Sequence, residues 1–122
     1  MTHALNWFEI PVSDLARAKR FYTALLQAEL RQETMGEVEI AVLPHAAEGV
    51  GGALARGPRL LPGSAGTVVY LDAGDDLDGA LARVTAAGGK ILAGKLELSK
   101  NIGSIAFFQD TEGNRVGLHS PR

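Results

Sequence analysis

The feature that most constrains this chain is an internal repeat. Ser13-Asp14-Leu15-Ala16-Arg17-Ala18-Lys19-Arg20-Phe21-Tyr22 lines up with Asp75-Asp76-Leu77-Asp78-Gly79-Ala80-Leu81-Ala82-Arg83-Val84. A chain of 122 residues is one domain's worth of sequence, so a repeat inside it limits the fold to two similar units sharing one body. Each copy follows a strand-like run, Leu5 to Val12 and Thr67 to Asp72, and each opens with a Ser or Asp whose side-chain oxygen can accept from an orphan helix N–H. Leu15, Ala18, Tyr22 and Leu25 then recur at helical spacing, as do Leu77, Ala80, Leu81 and Val84. The pattern predicts helices from Asp14 to Gln27 and from Asp76 to Ala87. Gly88-Gly89 suits a left-handed C-cap after the second helix, whereas the first ends near Gln27 without one.

Strand-like runs follow each helix: Glu37 to Leu43 and Val50 to Ala55, then Lys90 to Ala93, Ser104 to Gln109 and Arg115 to His119. Asp110-Thr111-Glu112-Gly113-Asn114 places Gly where a type I turn with a bulge requires positive φ, which makes the last two strands a hairpin. Lys95 to Gly103 reads as a polar connection. Gly57 to Gly66, with two prolines and three glycines, is the natural linker. The expected fold is α+β: two βαβββ modules, residues 4–57 and 67–120, forming a curved, half-open sheet with helices outside and a central cleft.

The net charge of -2, with no basic cluster longer than two residues, removes the electrostatic drive for nucleic-acid binding. The absence of cysteine rules out disulfides, thiolate metal sites and a cysteine nucleophile. No secretory apolar segment follows Met1 and no long apolar span occurs elsewhere, so the expectation is a cytoplasmic protein with no membrane partner.

Asn6-Trp7-Phe8-Glu9-Ile10-Pro11-Val12-Ser13-Asp14-Leu15 followed by Phe21-Tyr22 resembles the opening of vicinal oxygen chelate proteins, the glyoxalase and bleomycin-resistance superfamily. Asp110-Thr111-Glu112-Gly113-Asn114-Arg115-Val116-Gly117-Leu118 is similar to that family's Asp-Pro-Asp-Gly-Asn hairpin and last strand, and Leu77 to Gly89 resembles its second helix. The resemblance implies a cleft in which His, Gln or Glu side chains hold a metal that chelates neighbouring substrate oxygens. Here the corresponding positions fall on Trp7, Val68 and Gly117, and the segment Gly49 to Arg56 supplies no His, Gln or carboxylate. Zinc, iron and manganese need several imidazole or carboxylate donors at short range. The expectation is therefore no metal at the family's positions and no other cofactor, with a divalent metal on displaced ligands such as Glu9 and His119 as the exception.

Strand alternation places Glu9 beside Trp7, Tyr70 and Asp72 beside Val68, and Arg115 and His119 beside Gly117, while Phe8, Ile10, Val69, Leu71, Val116 and Leu118 face the helices. The candidate ligand-binding residues are Trp7, Glu9, Tyr70 and His119. Glu9 and His119 are also the candidate acid and base, since a histidine titrates near neutrality and a part-buried carboxyl can be raised toward it. Two functions follow from these residues. One is metal-free binding of a small organic molecule in the manner of bleomycin-resistance proteins. The other is a lyase or isomerase related to lactoylglutathione lyase. A partner-binding or accessory module, for which the sequence offers no specific feature, is a third reading. A homodimer is the expected assembly.

Overall fold

The computed structural model describes residues 3–99 and 101–122. The elements run β1 (Trp7–Pro11), α1 (Leu15–Leu26), β2 (Arg31–Met35), β3 (Val38–Val42), β4 (Gly51–Arg56), β5 (Tyr70–Asp72), α2 (Leu77–Ala86), β6 (Lys90–Glu97), β7 (Ser104–Gln109) and β8 (Arg115–Ser120). The repeat is thus two βαβββ modules. Asp14 caps α1 by accepting from Arg17 N at 3.0 Å, and Asp76 caps α2 by accepting from Gly79 N at 2.9 Å. Gly88 leaves α2 at φ 102°, and Gly89 N reaches back to Val84 O at 2.9 Å, closing the helix end. Helix α1 ends differently. Gln27 itself takes the left-handed conformation, φ 54°, and Arg83 of α2 donates to the exposed-end carbonyl of Leu25 at 2.8 Å.

The strands form two four-stranded sheets of identical order, β1-β4-β3-β2 and β5-β8-β7-β6, with the first pair of each parallel and the rest antiparallel. Both helices pack into one core. Ile10, Val12 and Leu54 of the first sheet and Leu71, Phe108, Val116 and Leu118 of the second are buried with Phe21, Tyr22, Leu25, Leu81 and Val84. The apolar alternation thus names the helix side of each sheet correctly. On the opposite face of the first sheet, Ile40, Val42, Ala53 and Ala55 are buried as a second cluster, against which Val38 and Leu60 of the linker pack.

Two strand assignments need correction. Strand β2 lies in a stretch without apolar alternation, because Arg31 to Met35 forms a fully exposed outer strand that pairs only with β3. Strand β6 continues through Lys95 to Glu97 instead of stopping at Ala93, with register shifts against β7 between Ile91 and Ala93 and between Ala93 and Leu96. The polar connection shrinks to the turn beyond Leu98, and Lys100 within it lies outside the described residues.

The Asp110–Asn114 turn does more than join β7 to β8. Gly113 has φ 87°, as the turn requires. The Glu112 carboxylate, its side chain fully buried, accepts from Ser13 N at 3.0 Å, Asp14 N at 2.9 Å, Arg17 Nε at 2.7 Å and Thr111 Oγ1 at 3.1 Å. Asp110 accepts from Tyr22 Oη at 2.7 Å and from its own turn's Glu112 N and Asn114 N. Asn114 Nδ2 donates to Pro11 O at 2.7 Å, and Asn114 Oδ1 accepts from Gly63 N at 3.0 Å. One turn of the second module therefore grips β1, the start and middle of α1, and the linker.

Candidate cleft between the modules

The grip of the Asp110–Asn114 turn holds β1 alongside β5 and β8, and a cleft of about 750 Å³ opens between them. Its inner wall is apolar: Ile10 and Val116 are buried, while Phe8 and Val69 are half-buried against the core. Leu61 and Ala65 of the linker close one side, and Glu9, Tyr70 and Arg115 stand exposed on the rim. A volume in this range, apolar inside with a few convergent polar groups, is what a small-molecule site requires.

The rim is ordered by stacking. The Arg115 guanidinium carbon sits 4.4 Å from the centroid of the Phe107 ring, and Tyr70 meets the same ring at 5.6 Å and 64°. The space that lets Tyr70 lie there is provided by its cross-strand neighbour Gly117, since a Cβ at that position would stand 2.5 Å from the Tyr70 ring. Among the described residues, no hydrogen bond or ion pair engages the Glu9 side chain, and no carboxylate pairs with Arg115.

The four side chains expected to share the site are divided by the structure. Glu9 and Tyr70 line the cleft together. Trp7 stands outside it, edge-on to His45 at 6.5 Å and 85°, with the His45 ring filling the space over Gly51, the residue paired with Trp7. His119 pairs with Asp72 on the β5–β8 ladder, and its Nε2 contacts Ile102 O at the far end of the second sheet. It is half-buried in a strand, not frayed at the chain end. Arg115 joins the cleft, although strand alternation by itself marks it only as sharing a face with Gly117. Its signal was a charged residue on the cleft face of β8 with no acidic residue in register, since its partner across β7 is Gln109.

The donors present do not fit a metal held in the vicinal oxygen chelate manner. Trp7 carries no donor suited to a cation, Val68 is aliphatic, and the Gly117 position is roofed by the Tyr70 ring. Among the described residues, no three His, Cys, Asp or Glu side chains converge on one point.

Residues 4–118 match the family model described as the Glyoxalase/Bleomycin resistance protein/Dioxygenase superfamily. A Glyoxylase-like domain-containing protein of Didymella fabae is 28% identical over 120 residues, spanning 90% of this chain and 88% of its own length. Among solved structures, a V278E glyoxalase I mutant from Zea mays superposes with a TM-score of 0.69 at 25% identity, covering 95% of this chain and 45% of that one. Fosfomycin resistance protein FosX from Mesorhizobium loti superposes at 0.65 with 18% identity, over 98% of this chain and 93% of its own, a likeness of fold. With the two βαβββ modules in place and the family match running almost from end to end, this chain belongs to the glyoxalase/bleomycin resistance protein/dioxygenase superfamily.

Proposed function

We propose that the protein binds a small organic molecule in the cleft between its modules, without a metal at the family's ligand positions. The observation that carries this is the cleft itself: about 750 Å³, walled by Phe8, Ile10, Val69 and Val116 and rimmed by Glu9, Tyr70 and Arg115. Burial of a ligand's apolar body against that wall supplies affinity at roughly 25 cal/mol per Å² of apolar surface, and the rim supplies orientation. An acid–base reaction shared by Glu9 and His119 has less support, because the imidazole is engaged with Ile102 O and does not line the cleft.

Metal analysis of protein purified without chelators, combined with a thermal-shift screen of small apolar molecules and divalent cations, tests this reading. The expected result is far less than one equivalent of zinc, iron, nickel or manganese, together with a melting temperature that climbs with ligand concentration by mass action. Near-stoichiometric transition metal would overturn the metal-free reading and move the proposal to an enzyme with displaced ligands.

The same proposal includes a cytoplasmic homodimer. Its support is strand β6, the outer strand of the second sheet, which exposes Ile91, Leu92 and Leu96 along an unpaired edge. Such an edge invites pairing with another chain. Sedimentation at micromolar concentration should give twice the chain mass, and a monomer would remove the dimer from the proposal.

A further inference from the structure

Two groups of opposite charge line the cleft, and among the described residues neither takes part in an ion pair, although Arg59 borders a second hollow with Glu9. The ion pairs of the described residues are Arg17–Glu112, Arg31–Glu33, Arg56–Glu39 and Arg122–Asp75, so Glu9 and Arg115 belong to none of them and are not paired with each other. Both nonetheless border the same cavity, with the apolar side chains of Phe8, Ile10, Val69 and Val116 on its wall. Resting on the reading that this cleft is the binding site, we propose that its ligand is a small zwitterion with an apolar body. Its anionic group meets the Arg115 guanidinium and its cationic group meets the Glu9 carboxylate.

The geometry of Arg115 favours an anion. The Arg115 guanidinium carbon lies 4.4 Å from the centre of the Phe107 ring, which Tyr70 meets edge-on, and among the described residues no side-chain N–H of Arg115 has an acceptor, so these donors are available to a carboxylate. The stack fixes the side chain before binding, so less rotamer freedom remains to be lost when an anion docks. Glu9 is set by strand β1 on the rim of the same cleft, an acceptor with no internal donor. A ligand of one sign would cover both charged groups with its apolar body while satisfying only one. The other would lose water without gaining a partner, which penalises binding. A ligand carrying both charges avoids that penalty, which is the physical reason for preferring a zwitterion to a simple acid or amine.

Four probes sharing a phenyl ring separate the possibilities: L-phenylalanine, phenylacetate, phenethylamine and benzyl alcohol. Dissociation constants are measured by calorimetry at neutral pH on the wild-type chain, Arg115→Gln and Glu9→Gln. Both substitutions fall on exposed side chains, so the fold is retained, and matching melting temperatures check this. Phenylalanine should bind the wild type about tenfold more tightly than either singly charged probe, the scale of one charge-assisted hydrogen bond. Arg115→Gln should weaken phenylalanine and phenylacetate about tenfold and leave phenethylamine and benzyl alcohol unchanged. Glu9→Gln should weaken phenylalanine and phenethylamine and spare the other two. Arg115→Lys, which keeps the charge but loses the fork and the stack, should fall between wild type and Arg115→Gln. Equal binding of all four probes to the wild type, or charge preferences unchanged in both variants, would overturn the zwitterion while leaving the cleft reading intact. No binding by any probe, benzyl alcohol included, would overturn the cleft reading and this inference together.

Discussion

Replacing Glu112 with alanine is expected to lower stability by about 3 kcal/mol, the low end of the cost of removing one partner from a buried ion pair. The low end applies because Arg17 is partly exposed and can rehydrate when its partner is lost, whereas the Ser13 and Asp14 amides and the Thr111 hydroxyl are left without an acceptor. The same group sets an acid limit. Burial pushes the Glu112 carboxyl upward, but hydrogen bonds from Arg17, Asp14 N, Thr111 and Ser13 N outweigh it and hold the group down from 4.5 to about 2. Because the folded value lies below the unfolded one, the stabilisation is complete above about pH 4.5 and is lost as pH falls toward about 2. At 1.36 kcal/mol per unit, that interval corresponds to about 3 kcal/mol. Denaturant melts of wild type and Glu112→Ala at several pH values read both effects. The two stability curves should lie apart at neutral pH and converge as pH falls through this window. A constant separation down to pH 2 would show that the carboxylate's charge is not what holds the turn.

The role of this turn shows where sequence reasoning stops. Asp-Thr-Glu-Gly-Asn announces a tight hairpin by local chemistry, and Gly113 delivers it. Nothing local announces that Glu112 will reach amides 98 and 99 residues away. The same divide runs through the fold. Helices α1 and α2 were legible because each has an Asp cap and a one-sided apolar stripe, both properties of a few neighbouring residues. Strand β2 was not, because an outer strand exposed on both faces needs no alternation, and Arg31-Gln32-Glu33-Thr34 carries none. Strand β6 reads from sequence as ending at Ala93 because its register slips there disturb the period-two pattern.

The site divides in a similar way. Alternation sets Glu9 and Tyr70 on the face opposite Phe8, Ile10, Val69 and Val116, yet the cleft is lined by all six, because it opens between β1, β5 and β8 and not over one face of a sheet. It sets Trp7 and His119 on the Glu9 and Tyr70 face too, but face does not fix position along a strand. Which stretch of β1 meets which stretch of β5 and β8 depends on where Asn114 holds Pro11 O, and that contact joins residues 103 apart. The linker is the other hidden contributor. Its composition marks it as a connection, yet Leu60 covers Ile40 and Val42 and Leu61 lines the cleft, through contacts no local pattern specifies.

A glycine far from the cleft should carry the other large effect. Gly103 lies in the turn between β6 and β7 at φ 95°, donating to Ser99 O at 3.0 Å and accepting from Leu98 N at 2.8 Å. A Cβ added there would land on the Ser120 carbonyl oxygen and within 2.7 Å of the Pro121 backbone, so relief requires the main chain to move and not merely a side chain. Gly103→Ala therefore combines the left-handed penalty, about 1–2 kcal/mol for a residue with a Cβ, with an overpacking cost of roughly 1–3 kcal/mol. The expected loss is about 3 kcal/mol. Gly113 provides the control, because its φ is 87° and an added Cβ there meets nothing within 4 Å. Gly113→Ala should cost only the conformational part, about 1 kcal/mol. Melting both variants beside the wild type isolates the steric share. If the two alanine variants lost equal stability, the close approach of Ser120 would not be what excludes a side chain at residue 103.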